Sequence, residues 1–314
     1  MSLRQLFAMT SVAPVAVLLV IAAPGLSAAQ EQDEALAYHA WYAASQGQDS
    51  KKAIETAEAY LKSFPQGQYA DFLTKWLGPA QLTILNEAIK AGQIDQMIET
   101  GDKILATDPE NLNVLYALAF QLRNKELLGS PRSYDHADKA KEYTMKAVSL
   151  VESGKTLAGV DSFDKNGTLA WLYQVQALVE ENAGNEAKAI ELFEKSTSLD
   201  PTNPQVAGRN LLQVLAKRQS DYADTANAYN ALPDEARAAA EPSPEVAAVR
   251  EKLDADADEL IDVAAQFVAL ADTQGLPQGT RDKVYGVLES VYKSRHMEDD
   301  AEATGLQAVI DSKK

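Results

Sequence analysis

The clearest hydrophobic pattern in the chain covers residues 168–203 and predicts two helices joined by a tight turn. In its first half, apolar residues recur at helical rather than strand spacing: Leu169, Leu172, Tyr173, Val175 and Val179. Gly184 and Asn185 interrupt the pattern, and Asn185 is expected to cap the second helix by accepting a backbone N–H. That helix is expected to stop at Asp200, because a proline disfavours helical geometry in the residue before it. Its seam alternates small and large side chains at spacing i, i+4 and i+7: Ala189, Phe193 and Ser196.

Weaker versions of this pattern predict helices along the rest of the chain. Before the clearest pair, the predicted helices cover residues 35–46, 50–64, 68–77, 80–91, 94–107 and 112–124, with one more from about Ser133. After it, they cover residues 204–220, 222–231, 245–273 (as one helix or two), 281–292 and 298–310. Gly78-Pro79 is expected to kink or end a helix, and residues 241–244 are expected to form a break or a joint between two stacks. Alanine is abundant and no alternating β-branched run occurs, so the predicted fold class is all-α.

The pair at 168–203 resembles a tetratricopeptide repeat (TPR) of the exported type. That family has a large residue and then a small one in its first helix, an alanine and an aromatic in its second, and a proline after it. Here the matching residues are Tyr173, Ala177, Ala189, Phe193 and Pro201, whereas Gln176 and Glu180 depart from the pattern. The resemblance implies a right-handed superhelix, or solenoid, of antiparallel helical hairpins. We divide the chain into a signal peptide at 1–29, TPR-like repeats at 30–240 and a C-terminal helical region at 241–314 that ends in a TPR-like hairpin.

The same resemblance implies a concave groove that binds a peptide or a protein and is lined by the first helix of each hairpin. The positions that carry over are Leu82, Asn86, Asn113, Tyr116, Phe120, Trp171, Gln174 and Leu178. Aromatic side chains suit such contacts, since Tyr and Trp are favoured at binding hot spots. The alternative is that the three aromatic residues among them pack only against a neighbouring helix. Some family members clamp a C-terminal carboxylate with Lys and Asn at these positions, and that set is missing here.

The charge balance narrows the class of partner. The chain has 46 Asp and Glu residues against 29 Lys and Arg residues, a formal net charge of −17. This balance argues against nucleic acid, whose binding depends on Lys and Arg at phosphates, and against binding to anionic lipid surfaces. The chain has no cysteine, so its stability must come from core packing, which suits an oxidising compartment.

The first residues read as a targeting signal. Arg4 supplies a positive start, and residues 12–23 form an apolar core of about a dozen residues. Small residues then offer a cleavage site after Ala29, so we predict export to the periplasm or cell envelope without stable membrane insertion after cleavage. An uncleaved anchor is the alternative, but the apolar core is short for a span of about 20 residues.

Candidate chemistry is sparse. Residues 153–156 lack the glycine pattern of a phosphate-binding loop and predict an ordinary helix exit. Residues 164–167 lack the ligand spacing of a calcium loop and predict a turn that caps the next helix. The three histidines stand in distant segments without metal-ligand spacing: His39, His136 and His296. We therefore predict no catalytic set, no cofactor and no metal site.

The sequence predicts a non-catalytic scaffold and leaves two other functions open. An enzyme could place its site in the long connections at 124–135 or 153–167, since long loops in compact folds are often functional. A structural subunit of a cell-envelope assembly would instead have a large constitutive interface.

Overall fold

The computed structural model describes residues 28–47, 49–296 and 302–314, and every regular element in these ranges is helical. No strand occurs in them, which confirms the predicted all-α class. The predicted signal peptide lies outside the described residues, apart from Ala28 and Ala29 at the start of the first helix. Among the described helices, none combines the length and hydropathy that a membrane crossing requires.

Thirteen helices follow one another in the described ranges. They are α1 Ala28–Gln46, α2 Ser50–Ser63, α3 Ala70–Ala91, α4 Ile94–Thr107, α5 Leu112–Leu122, α6 Ala137–Glu152, α7 Lys165–Asn182, α8 Glu186–Leu199, α9 Ala207–Asn230, α10 Asp234–Arg237, α11 Pro244–Gln274, α12 Gln278–Arg295 and α13 Glu302–Asp311. A π-helical turn, Arg123–Leu127, follows α5. The predicted ranges 50–64, 94–107 and 112–124 closely match α2, α4 and α5.

The chain divides into two compact units. The first ends at Ala88 and the second begins at Ile89, so the division falls within the last turn of α3. Residues 240 and 241, between which we predicted a boundary, both belong to the second unit.

The first unit has an aromatic core. Trp41 and Tyr60 are buried, and the ring of Tyr38 stacks on that of Tyr69 with the centroids 3.7 Å apart. The buried carboxylate of Glu34 accepts a hydrogen bond from the Tyr60 hydroxyl and one from the backbone N–H of Gln68. Burial and this carboxylate raise the pKa of the Tyr60 hydroxyl. A buried acid is tolerated here because donors satisfy it.

The helices of the second unit pack in chain order from α4 to α9. Each of these helices contacts the next, and α11 then contacts α9, α12 and α13. The seam predicted between α7 and α8 is buried, including Ala177, Ala189 and Phe193. At its end, the Ser196 hydroxyl donates to the Ala170 carbonyl at 2.6 Å. The hairpin predicted at 168–203 is therefore confirmed.

The two turns that flank α7 show one correct and one wrong capping prediction. Asp164 caps α7, because its Oδ1 accepts from the Gly167 N–H at 2.9 Å. Gly184 adopts φ +76°, a left-handed conformation that glycine reaches without a Cβ penalty. Asn185 occupies the cap position of α8, but its amide donates to Glu180 Oε2 at 2.7 Å and accepts no N–H. The Asn185 side chain therefore bonds to the carboxylate of Glu180 instead of capping α8.

At two places the chain forms one helix where two were predicted, and of the two outcomes expected at Gly78-Pro79, a kink or an end, the helix does not end there. Residues 68–77 and 80–91 form the single helix α3 with Pro79 inside it. Leu77 and Ile84, on either side of the proline, are buried, and their packing offsets the lost backbone hydrogen bond, which costs about 3 kcal/mol. Residues 204–220 and 222–231 likewise merge into α9, where Lys217 and Asp221 form an ion pair one turn apart. The predicted break at 241–244 does occur, since α11 begins at Pro244.

Candidate functional site

Three of the predicted groove residues lie in one row of side chains, which we call the aromatic row: Tyr116, Phe120 and Trp171. The rings of Tyr116 and Phe120, one helical turn apart on α5, have centroids 6.2 Å apart. The ring of Phe120 meets that of Trp171 on α7 with the centroids 5.4 Å apart. All three residues are half-buried, so each packs against its neighbours and leaves part of its side chain at the surface.

A buried arginine, Arg123, packs against the Trp171 ring of the aromatic row. The guanidinium carbon of Arg123 lies 3.5 Å from the centroid of the Trp171 ring, a close cation–π contact. Arg123 is only 3% exposed. It is the first residue of the π-helical turn that follows α5, where the Arg123 carbonyl accepts from the Leu128 N–H at 2.8 Å. Single π-helical turns of this kind occur frequently at functional sites.

Neutral amides and carbonyls hold the Arg123 guanidinium in place. Its Nε donates to Gln174 Oε1 at 2.7 Å, and one terminal nitrogen donates to Asn124 Oδ1 at 2.8 Å. The other terminal nitrogen donates to Gln174 Oε1 and, at 3.5 Å, to the Gln205 carbonyl. Four of the five N–H groups of the guanidinium are thus used.

The hydrogen-bond network continues from Gln174 into the next helices. Gln174 Nε2 donates to Asn210 Oδ1 at 2.6 Å and to the Val206 carbonyl at 3.2 Å. Asn210 Nδ2 donates in turn to Ser196 Oγ at 2.8 Å. Gln174, Ser196 and Asn210 are almost fully buried. Such a satisfied network is rigid, so it fixes the position of the ring that Arg123 supports.

The charge of Arg123 has no opposite partner in the described part of the chain. None of its hydrogen-bond acceptors is a carboxylate. Burial, together with the nearby charge of Arg209, lowers the pKa of Arg123 to about 9. Burial also raises the pKa of the Tyr116 hydroxyl. The ring of Trp171 and the Tyr116 hydroxyl therefore both lie near the charge of Arg123.

The other predicted groove residues do not join the row. Gln174 is 1% exposed and Leu178 is 2% exposed, so neither side chain lines an open surface. The side chain of Gln174 is enclosed by Arg123 and by Val206 and Asn210 at the start of α9. Leu82 and Asn86 are exposed on α3, in the first unit.

Asn113 is exposed but is already paired. Its Nδ2 donates to the Ala158 carbonyl at 3.1 Å, and its Oδ1 accepts from the Ala158 N–H at 2.8 Å. The connection at 153–164 is also held by Lys155, whose Nζ lies 2.6 Å from Glu110 Oε2. Asn113 thus anchors this long connection to the start of α5.

Sequence reasoning missed Arg123 and Asn210. Arg123 follows Phe120 by three residues, so helical spacing alone places it on the same side of α5. Its burial depends on α7 and on the start of α9, which are distant in sequence. Asn210 stands among apolar residues of α9, and a lone polar residue on a buried face is a signal for such a network.

No protein-family model and no curated protein sequence matches the chain. The resemblance to tetratricopeptide repeats therefore remains an interpretation of the residue pattern. In the described ranges, no group of three or more His, Cys, Asp or Glu residues is placed to hold a metal ion.

Proposed function

We propose that this protein is an exported, non-catalytic scaffold that binds a segment of a protein or peptide partner on the aromatic row. The single observation that carries the proposal is the row itself. Two successive first helices, α5 and α7, bring Tyr116, Phe120 and Trp171 together with part of each residue at the surface.

The chemistry of the row supports this role. Tyr and Trp supply large contact areas with few rotatable bonds, so docking costs little side-chain entropy. The satisfied network beneath Trp171 means that the ring needs no rearrangement to bind. A surface that is fixed before binding loses less free energy to ordering than a flexible one.

The packing order of the second unit supports a TPR-like solenoid as the setting of this surface. Helices from α4 to α9 contact one another in chain order, as stacked hairpins do. Export to the periplasm or cell envelope is proposed from the N-terminal pattern of residues 1–29, which lies almost wholly outside the described residues.

Affinity capture from the native periplasm, with the mature chain as bait, tests the proposal. We expect Tyr116→Ala and Trp171→Ala each to lose most of the captured partner, because each removes a ring of the row. The matched control is Met145→Ala, which removes an exposed apolar side chain from α6. Circular dichroism establishes that each variant is folded. Capture by both ring variants at the level of the control would overturn the proposal.

A further inference from the structure

A positive charge that the described part of the protein does not neutralise lies behind the aromatic row. Buried charges in proteins are usually paired, because the desolvation of an unpaired ion is strongly unfavourable. The hydrogen-bond acceptors of Arg123 are all neutral. A shortage of acids does not explain this, since the chain carries 46 Asp and Glu residues against 29 Lys and Arg residues.

A second arginine reinforces the charge. Arg209 is exposed in the first turn of α9 and has no ion pair within the described ranges. The Arg123 guanidinium donates at 3.5 Å to the carbonyl of Gln205, four residues before Arg209, and the charge of Arg209 lowers the pKa of Arg123. Two like charges held near one another repel, and an anion beside them would relieve both the repulsion and the cost of burial.

We propose that the segment docked on the aromatic row carries an acidic side chain, whose carboxylate pairs with Arg209 in the field of Arg123. This inference rests on the proposed function and specifies the chemistry of its partner. Arg123 has four of its five N–H groups in use, so it contributes a fixed charge behind Trp171. Arg209 supplies the direct contact, because its side chain is exposed.

The net charge of the whole chain limits the acidity of the partner. At −17, the protein repels a strongly acidic segment at distances longer than the local attraction. The site therefore fits one carboxylate next to an apolar or aromatic side chain, rather than a run of acids. The proposed ligand therefore differs from a polyanion, which carries many acidic groups in succession.

An array of short synthetic peptides, probed with the full chain, tests this inference. The peptides have amidated C-termini, and each Asp or Glu peptide has a partner with Asn or Gln at the same place. We expect wild type to bind the acidic member up to about fivefold more tightly, the upper range for an ion pair with an exposed side chain. A parallel set with free C-termini tests whether the end of a chain can supply the carboxylate instead.

Two arginine variants locate the contact. We expect Arg209→Gln to bind both members of each pair alike, at the weaker affinity, because the row itself is intact. The matched control is Arg250→Gln, an exposed arginine of α11 that also lacks an ion pair in the described ranges, and it should retain the full preference. Both substitutions change exposed side chains, so folding is expected to be unaffected.

The outcomes separate this inference from the proposed function. Peptides bound by wild type without acidic preference, or a preference that survives in Arg209→Gln, would overturn the carboxylate contact and leave the docking role standing. A preference seen only with free C-termini would also overturn the side-chain assignment. If wild type binds none of the peptides, the carboxylate contact is overturned, and the affinity capture with Tyr116→Ala and Trp171→Ala decides the docking role by itself.

Discussion

His136 links the insertion after α5 to α4 through two carboxylates. Its Nδ1 lies 2.7 Å from Glu126 Oε1 and its Nε2 lies 3.2 Å from Asp95 Oδ1. Only the protonated ring can donate to both, since a neutral imidazole has one N–H. The hydrogen bond to Glu126 is the main cause of a raised pKa for His136, and the charges of Glu126, Asp95 and Asp135 add to it.

This arrangement predicts how stability changes with pH. Because the pKa of His136 is higher in the folded protein than in the unfolded chain, its contribution is fully present below the unfolded value of about 6.5. It is lost as pH rises through the folded value. We expect the free energy of unfolding, measured with urea, to fall as the pH is raised from about 5 to about 8. The fall should be larger for wild type than for His136→Gln.

Two carboxamide variants form the control for this prediction. Glu126 is buried, with 6% of its side chain exposed, whereas the Asp95 side chain is 96% exposed. Solvent screens the exposed partner, so Glu126→Gln should flatten the pH dependence far more than Asp95→Asn. If the free energy of unfolding changes with pH equally in wild type and Glu126→Gln, the pH dependence does not come from the His136–Glu126 contact.

The sequence predicts the positions of some side chains of the candidate site and not of others. Tyr116 and Phe120 share a helix, so their common side follows from local spacing, and Trp171 follows from the matching position in the next hairpin. Arg123 and Asn210 both bond to Gln174, which lies 51 residues after the first and 36 residues before the second in the chain. Helical periodicity carries no information about which buried polar groups meet, so their network could not be predicted.

At the scale of whole helices, α4 and α5 approach closely at Gly101. A Cβ added there would lie 2.6 Å from Leu118 Cδ1 and 2.8 Å from its Cδ2. Leu118 is fully buried, so its methyl groups have little room to move aside. Glycine is a poor helix former, yet here it permits the contact between the two helices.

We therefore expect Gly101→Ala to destabilise the protein although alanine favours helices. The propensity gain is about 1 kcal/mol, whereas overpacking a dense core costs about 1–3 kcal/mol. Gly286 on α12 is the matched control, because a Cβ there meets nothing within 4 Å. Gly286→Ala should stabilise by about 0.5–1 kcal/mol. Urea unfolding measures whether each substitution raises or lowers the free energy of unfolding. Stabilisation by Gly101→Ala would show that the Leu118 side chain can shift to make room for the added methyl group.

The helices themselves were largely predictable, and the error at Pro79 shows the limit of local signals. Start and stop signals are local, so residues 94–107 were predicted with the bounds of α4. Pro79 is also a stop signal, but packing on both sides of it keeps α3 continuous. Where tertiary packing competes with a local signal, the sequence shows the signal alone.

At the scale of the molecule, composition was enough for the all-α class, because abundant alanine and helical periodicity leave no strands to pair. The division near Ala88 was not predicted. It falls inside α3, three residues before the helix ends at Ala91. Long-range packing cannot be deduced from a periodic pattern.

The net charge predicts how the whole molecule responds to salt. A formal charge of −17 makes the compact state repel itself, whereas the exposed ion pairs contribute little each. Raising NaCl from about 0.01 M to about 1 M shortens the screening length from about 30 Å to about 3 Å. We expect the urea midpoint at neutral pH to rise over this range, because the repulsion that salt removes exceeds the attraction that it removes.

The same titration near the isoelectric point isolates the cause. At a pH near 4.6 the positive and negative charges of the chain balance, so no net repulsion remains for salt to screen. The rise of the midpoint should then vanish or reverse, because screening there weakens only attractive pairs. NaCl is used because sulfate would strengthen apolar burial by exclusion from the protein surface. An equal rise at both pH values would attribute the effect to the solvent, and a fall at neutral pH would show that the ion pairs outweigh the excess charge.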